Sequence, residues 1–249
     1  MLNSVDTWYN MKKKEMKELS SIDRILLCKI FNSPRSSPGE SFYLELGIEE
    51  FKMIITRRRI LHFHDIITRE KKDMLYKFVM VQWNSGIKGE WATQVKEDLT
   101  KFQIMTDINS LQGMKNNKLR MLLKVATQNA RLEELLSLKE THSKMRGLSY
   151  KEMRTQRYLE DGSLSIESKR NIFAFRTHMT NFKENFKNAN TDEACPLCKS
   201  HIDSQKEAMK CPSLWAEDEP KGTYEDIFGE EIPTDIIETI NKISRGRDA

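Results

Sequence analysis

Long apolar runs are missing from this 249-residue chain. No stretch reaches the roughly eighteen apolar residues that a membrane-crossing helix needs, so no membrane partner is expected. The opening residues, MLNSVDTWYNMKKKEMKEL, hold no apolar core of the signal-peptide kind. Four cysteines are too few for a disulfide framework in so long a chain. A reducing, intracellular setting, nuclear or cytoplasmic, is therefore expected. Motifs of common enzymes are lacking as well. There is no Gly-rich phosphate loop and no Gly-x-Ser-x-Gly elbow, and the carboxylates are scattered through segments that read as helices.

What is present is charge. With 31% charged and 38% hydrophobic residues the chain reads as mainly α. The expected architecture is a multi-helix body with a small C-terminal zinc-knuckle-like subdomain. The net charge of +4 conceals a division: residues 190–249 carry 7 basic and 14 acidic groups, whereas the first 189 carry 34 basic and 23 acidic. Such a split fits a body that meets a polyanion and a tail that does not. The alternative is that Lys and Glu only solvate helix faces.

Helical periodicity runs through most of the body. From Asp6 to Phe31, the residues Met16, Leu19, Ile22, Ile25, Leu26 and Ile30 keep a three-to-four spacing that predicts one apolar helix side. Pro34 and Pro38 then break the helix, and FYLELG fits either a short extended piece or a helical turn. Met53, Ile60, Phe63 and Ile67 predict a helix to about Thr68. Further helices are expected over Lys72–Trp83, closed by Asn84-Ser85-Gly86, and over Glu90–Phe102, with Trp83 and Trp91 as core. Residues 105–117 read as a linker. Leu119, Leu122, Leu123, Ala126, Ala130, Leu135 and Leu136 predict a long helix to about Met145. Two more helices are expected at Tyr150–Tyr158 and Ile166–Lys187, and a short acidic one at Pro233–Ile243.

The basic residues are the first candidate site. Arg57, Arg58 and Arg59 lie mid-helix, where successive residues step about 100°, so at most two can serve one phosphate strand and the third is expected to pair with Asp65 or Glu70. His62 and His64 point to different sides and read as packing or surface residues. Lys144 and Arg146 gather near a helix end, suited either to its negative terminus or to a phosphate. Arg176, Lys183 and Lys187 alternate with Phe173, Phe175, Phe182 and Phe186, a pattern that either grips a backbone and stacks bases or buries the rings in a core.

CPLCKSHIDSQKEAMKC is the second. Cys195 and Cys198 put two thiolates on one tight turn, and Cys211 supplies a third, nearly completing the tetrahedral set that Zn²⁺ prefers. His201 is taken as the fourth ligand, with Glu207 the alternative. The other reading is three reduced cysteines in a helical tail without metal.

The order of LELGIEEFKMIITRRRILHFHDII, FVMVQW, THSKMRGLSY, YLEDGSLS, NIFAFRTHMTNFKENFK and the CPLC stretch resembles the C-terminal third of reverse transcriptases of LINE-like, non-long-terminal-repeat retrotransposons. The resemblance covers nearly the whole chain. It implies a thumb-like region at 1–104, a linker at 105–117, a helical linker region at 118–189, a degenerate zinc knuckle at 190–215 and an acidic tail with a short helix at 216–249. Arg57 to Arg59 and His64 match the thumb segment. Arg176, Asn181, Asn185 and Lys187 match the helix before the knuckle, and Cys195, Cys198 and Cys211 its thiolates. Glu207 stands where that family has histidine. The implied role is holding template RNA, primer and target DNA beside the remaining reverse transcriptase domains. The paired aspartates that would hold two Mg²⁺ ions for polymerisation are absent from this sequence. The chain is therefore expected not to be an enzyme on its own but to bind RNA, DNA or an RNA–DNA hybrid. A helical protein-interaction module and a retrotransposon remnant without selected function are the alternatives.

Overall fold

Three-to-four spacing of apolar residues builds almost everything here. The structure, a computed structural model, describes residues 13–35, 37–104, 107–139, 145, 147–148, 150–185, 194–216 and 219–248. Eleven α-helices run in order through these residues: α1 Lys13–Ile30, α2 Gly39–Leu46, α3 Phe51–Ile67, α4 Met74–Ser85, α5 Trp91–Lys101, α6 Ile108–Gln112, α7 Asn116–Lys139, α8 Arg157–Glu160, α9 Ile166–Arg176, α10 Gln205–Ala208 and α11 Thr234–Asp248. Among the described residues the only extended pairing is an isolated antiparallel bridge, Ala194 to Ile202. No helix is long and apolar enough to cross a membrane among them.

The chain forms two units. One comprises the described residues of Met1–Asp23 and Glu49–Glu134. Its core takes Met53, Ile60, Phe63 and Ile67 from α3, Val79 and Trp83 from α4, and Val95 and Leu99 from α5, each 5% exposed or less. The rings of Phe63 and Trp83 stack at 4.8 Å. Local signals fix the helix ends. Asp73 Oδ1 accepts the Leu75 amide at 2.7 Å to start α4, and Gly86 at φ 62° ends it. The stretch expected as a linker carries α6, whose Leu111 is buried in the same core. Asp107 caps it by accepting the Ser110 amide at 2.8 Å. His64 is buried and holds the far end, its Nε2 lying 3.1 Å from the Leu111 carbonyl and 3.0 Å from that of Met114.

The second unit comprises Arg24–Ile48 and the described residues of Leu135–Ala249. FYLELG proves helical, the end of α2, and Gly47 closes it at φ 60°. Phe31, Phe42 and Phe173 form an aromatic knot, with Phe31 and Phe173 centred 4.2 Å apart. α11 packs on α9 and buries Ile236, Ile240 and Ile243 completely. Each such side chain is worth about 1.5–3 kcal/mol, so the acidic tail is anchored by an apolar face.

Three expectations need correcting. In α1 the side marked by Ile22, Leu26 and Ile30 is exposed, and the chain buries Leu27, Cys28 and Phe31 instead, because the aromatic knot engages that side. Residues 151–156 are not helical, and only α8 remains of the helix expected there. The helix expected to reach Lys187 stops at Arg176, where Thr177 caps it and His178 turns left-handed at φ 51°. A short 3-10 turn, Lys183–Asn185, follows.

Candidate metal centre and basic surfaces

Pro196 presets a turn after Cys195, and backbone bonds complete it. The Lys199 amide donates to the Cys195 carbonyl at 3.0 Å, with Lys199 left-handed at φ 60°. The Cys195 amide donates to the His201 carbonyl at 2.7 Å, beside the Ala194–Ile202 bridge. Cys211 arrives from the other side. Ser204 caps α10 through the Glu207 amide, and the Cys211 amide donates to Ala208 at 3.3 Å just beyond that helix. Asp203, 1% exposed, fastens the intervening loop by accepting the Lys183 amide at 3.0 Å and Arg247 Nη2 at 3.0 Å.

These elements bring the sulfurs of Cys195, Cys198 and Cys211 within 4.8 Å of one another, and Cys195 and Cys211 lie 3.9 Å apart. Three converging thiols can hold a metal ion. The Ser200 amide lowers the Cys198 thiol below its ordinary pKa, whereas burial pushes Cys211 up to about 11. A cation would offset that burial by binding the thiolate. Neither His201 nor Glu207 belongs to the converging group. They face each other, Nδ1 3.8 Å from Oε2, and line a small pocket with Cys195 and Cys211. Cys28, the remaining cysteine, is buried with its sulfur 3.5 Å from the Pro34 carbonyl.

The arginines are placed differently from the expectation. Arg57 pairs with Glu49 and also donates to Thr127 Oγ1 at 3.3 Å. Arg59 pairs with Asp98, its Nε 3.1 Å from Oδ2. The carboxylates that engage Arg57 and Arg59 are thus Glu49 and Asp98, brought by folding. Arg58 is exposed. Arg176 is 1% exposed, its Nε donating to Glu45 Oε1 at 2.8 Å and its Nη1 to the carbonyls of Ile227 and Gly229. Phosphate contact is closed to it, because the guanidinium lies inside the second unit. Phe173, Phe175 and Phe182 are core, which removes them as stacking platforms. Lys183 lends its Nζ to the Ala194 carbonyl at 3.1 Å, supporting the cysteine turn. Lys144, Arg146 and Lys187 lie outside the described residues.

A basic surface that the sequence reading passed over lies on α7. Lys118, Arg120 and Lys124 are exposed there, and Lys115 just before the helix. No acidic residue occurs from Ile108 to Leu132. That gap was readable, but the strong leucine stripe drew attention to the buried face. In comparisons with known proteins, no family model, no curated protein and no solved structure matches the chain.

Proposed function

We propose that this chain is a non-catalytic nucleic-acid-binding protein with a structural Zn²⁺ site, akin to the thumb, helical linker and knuckle of a LINE-like reverse transcriptase. The convergence of three thiols within 4.8 Å carries the Zn²⁺ part of this reading. Zn²⁺ suits them because soft thiolates select it, and His201 or Glu207 would complete the set from the adjoining pocket. The bound ion would supply folding energy to the loop between Cys198 and Cys211 rather than chemistry. Phosphates of an RNA–DNA hybrid would be met by Lys118, Arg120 and Lys124, which lie in a stretch of chain, Ile108 to Leu132, without acidic residues. The ordered motifs and the excess of basic groups in the first 189 residues support the same reading.

Fluorescence anisotropy with an RNA–DNA hybrid across a salt series tests it. Binding should be micromolar or tighter and fall steeply with salt. Reversing Lys118, Arg120 and Lys124 to Glu should weaken it about tenfold or more and flatten the logarithmic salt slope by about two to three. A folded protein that does not bind even near ~50 mM salt, where phosphate contacts are strongest, would reject the nucleic-acid role.

A further inference from the structure

We propose that the groove between α3, α4 and α5 receives an amphipathic helix of a partner protein, with acidic side chains flanking its apolar face. The groove lies wholly within the first unit. It measures about 250 Å³ and is lined by Ile66, Leu75, Phe78, Val79 and Trp91 together with the polar His62 and Gln82. α4 accounts for most of it. Val79 and Trp83 of that helix face the core, yet Met74, Phe78 and Val81 are 81%, 58% and 68% exposed. A helix apolar on both sides is normally covered on both sides. Its outer face and the groove together form a continuous apolar patch of the kind that marks an interaction site.

Charge selects the occupant. Around the patch Asp73 caps α4 and pairs with Arg69, and Glu70 pairs with Lys72, while Glu90 accepts the Ser85 hydroxyl and keeps its charge, one carboxylate against three lysines. Lys71 before α4, Lys77 on it and Lys88 after it are exposed and, among the described residues, have no carboxylate partner. The apolar patch therefore carries a cationic fringe. A second copy of this chain is a poor occupant, because a two-fold contact sets each patch against itself and would oppose these lysines to one another. A nucleic acid would satisfy the lysines but leave Met74, Phe78 and Val81 uncovered. A helix presenting apolar residues at i, i+3, i+4 and i+7 with flanking Glu or Asp satisfies both.

Two fluorescein-labelled synthetic helices of about four turns provide the probes. Both carry leucines at that spacing, one with glutamates and the other with lysines at every remaining polar position. The glutamate helix should bind with micromolar affinity and the lysine helix about tenfold more weakly or worse. Phe78→Asp should abolish binding, and Val81→Glu, at a more exposed position, should weaken it about tenfold if Phe78→Asp does not fold. Lys77→Glu combined with Lys88→Glu should reverse the preference between the two helices. Circular dichroism verifies folding of each variant. Equal binding of both helices, no binding of either, or insensitivity to both apolar substitutions would overturn the proposal. So would wild-type dimerisation in sedimentation equilibrium that Phe78→Asp or Val81→Glu abolishes, since the patch would then belong to a second copy.

Discussion

Glu45 and Arg176 meet at full burial, Oε1 to Nε at 2.8 Å, 131 residues apart in the chain. Neither charge reaches water, so each must be met within the fold. The guanidinium gives its Nη1 to the carbonyls of Ile227 and Gly229, and the carboxylate accepts the hydroxyls of Tyr150 and Tyr158, the latter at 2.8 Å. Burial, and then the Glu45 charge, hold both tyrosine hydroxyls well above their ordinary pKa, which keeps them donors. For Arg176, burial is the largest influence and alone would lower the pKa. Glu45, Tyr150 and Tyr158 together outweigh it and the net direction is upward.

Removing one member strands the other. Glu45→Leu or Arg176→Met should each destabilise the second unit by about 3–5 kcal/mol, whereas Glu45→Leu with Arg176→Met should cost clearly less than the sum. Urea unfolding followed by circular dichroism measures all four corners of the cycle. Additive losses would mean that the two side chains do not depend on each other.

Gly47 is constrained twice. Its φ of 60° favours glycine, and a Cβ there would come within 2.1 Å of the Arg154 backbone carbonyl carbon. Gly47→Ala should lose about 1 kcal/mol from the conformation, and more from displacing 154–155 away from the end of α2. Gly86 shares the left-handed conformation but has nothing near it, so Gly86→Ala should show the conformational part alone. The difference between their melting temperatures measures the contact.

Asp98 provides a pH signature for the first unit. Burial raises its carboxyl above the ordinary value, and the opposing pull of Arg59 does not cancel this. Folding therefore favours the protonated form. The stabilisation is present in full below the unfolded pKa of about 3.9 and is lost as pH rises through the higher native value. Asp98→Asn should flatten this part of the pH–stability curve, read by urea unfolding across the ordinary carboxylate range. A variant curve parallel to the wild type would show that Asp98 contributes nothing to it.

Metal loading separates the cysteines. The protein should carry about one equivalent of Zn²⁺, and Cys195→Ser or Cys198→Ser should lose it together with thermal stability. Cys28→Ser should retain it. Elemental analysis with melting curves before and after chelation checks this, and a chelator should lower the wild-type curve towards that of Cys195→Ser.

Helices α3 to α5 were legible because each advertises itself locally: a stripe such as Met53, Ile60, Phe63 and Ile67, then a stop such as Gly86. The cysteine turn was legible for a similar reason, its spacing being its chemistry. Arg176 was not, because an arginine among phenylalanines at a helix end reads alike whether it faces a phosphate or a distant buried glutamate. The faces of α1 failed for a related reason. Its apolar residues cover more than one side, and the choice among them was made by Phe42, beyond the proline break, and by Phe173, far away in sequence. Long-range partners decided what local pattern left open.

The cysteine turn closes on its own amide bonds, whereas Cys211 is delivered 16 residues after Cys195 by α10. A bound ion would thus act on the chain as a cross-link across that span. Its thermodynamic share resembles loop closure, about 3 kcal/mol for a loop of such length. Its kinetic share is slight, since loops of this size close in about 10–100 ns. Two of the thiols would be set in place by the local turn and the third by the intervening loop. Occupancy would then be read out chiefly as the order of residues 200–211, whose amides should exchange with solvent faster in the apo protein than the Lys199 amide, which is bonded to the Cys195 carbonyl.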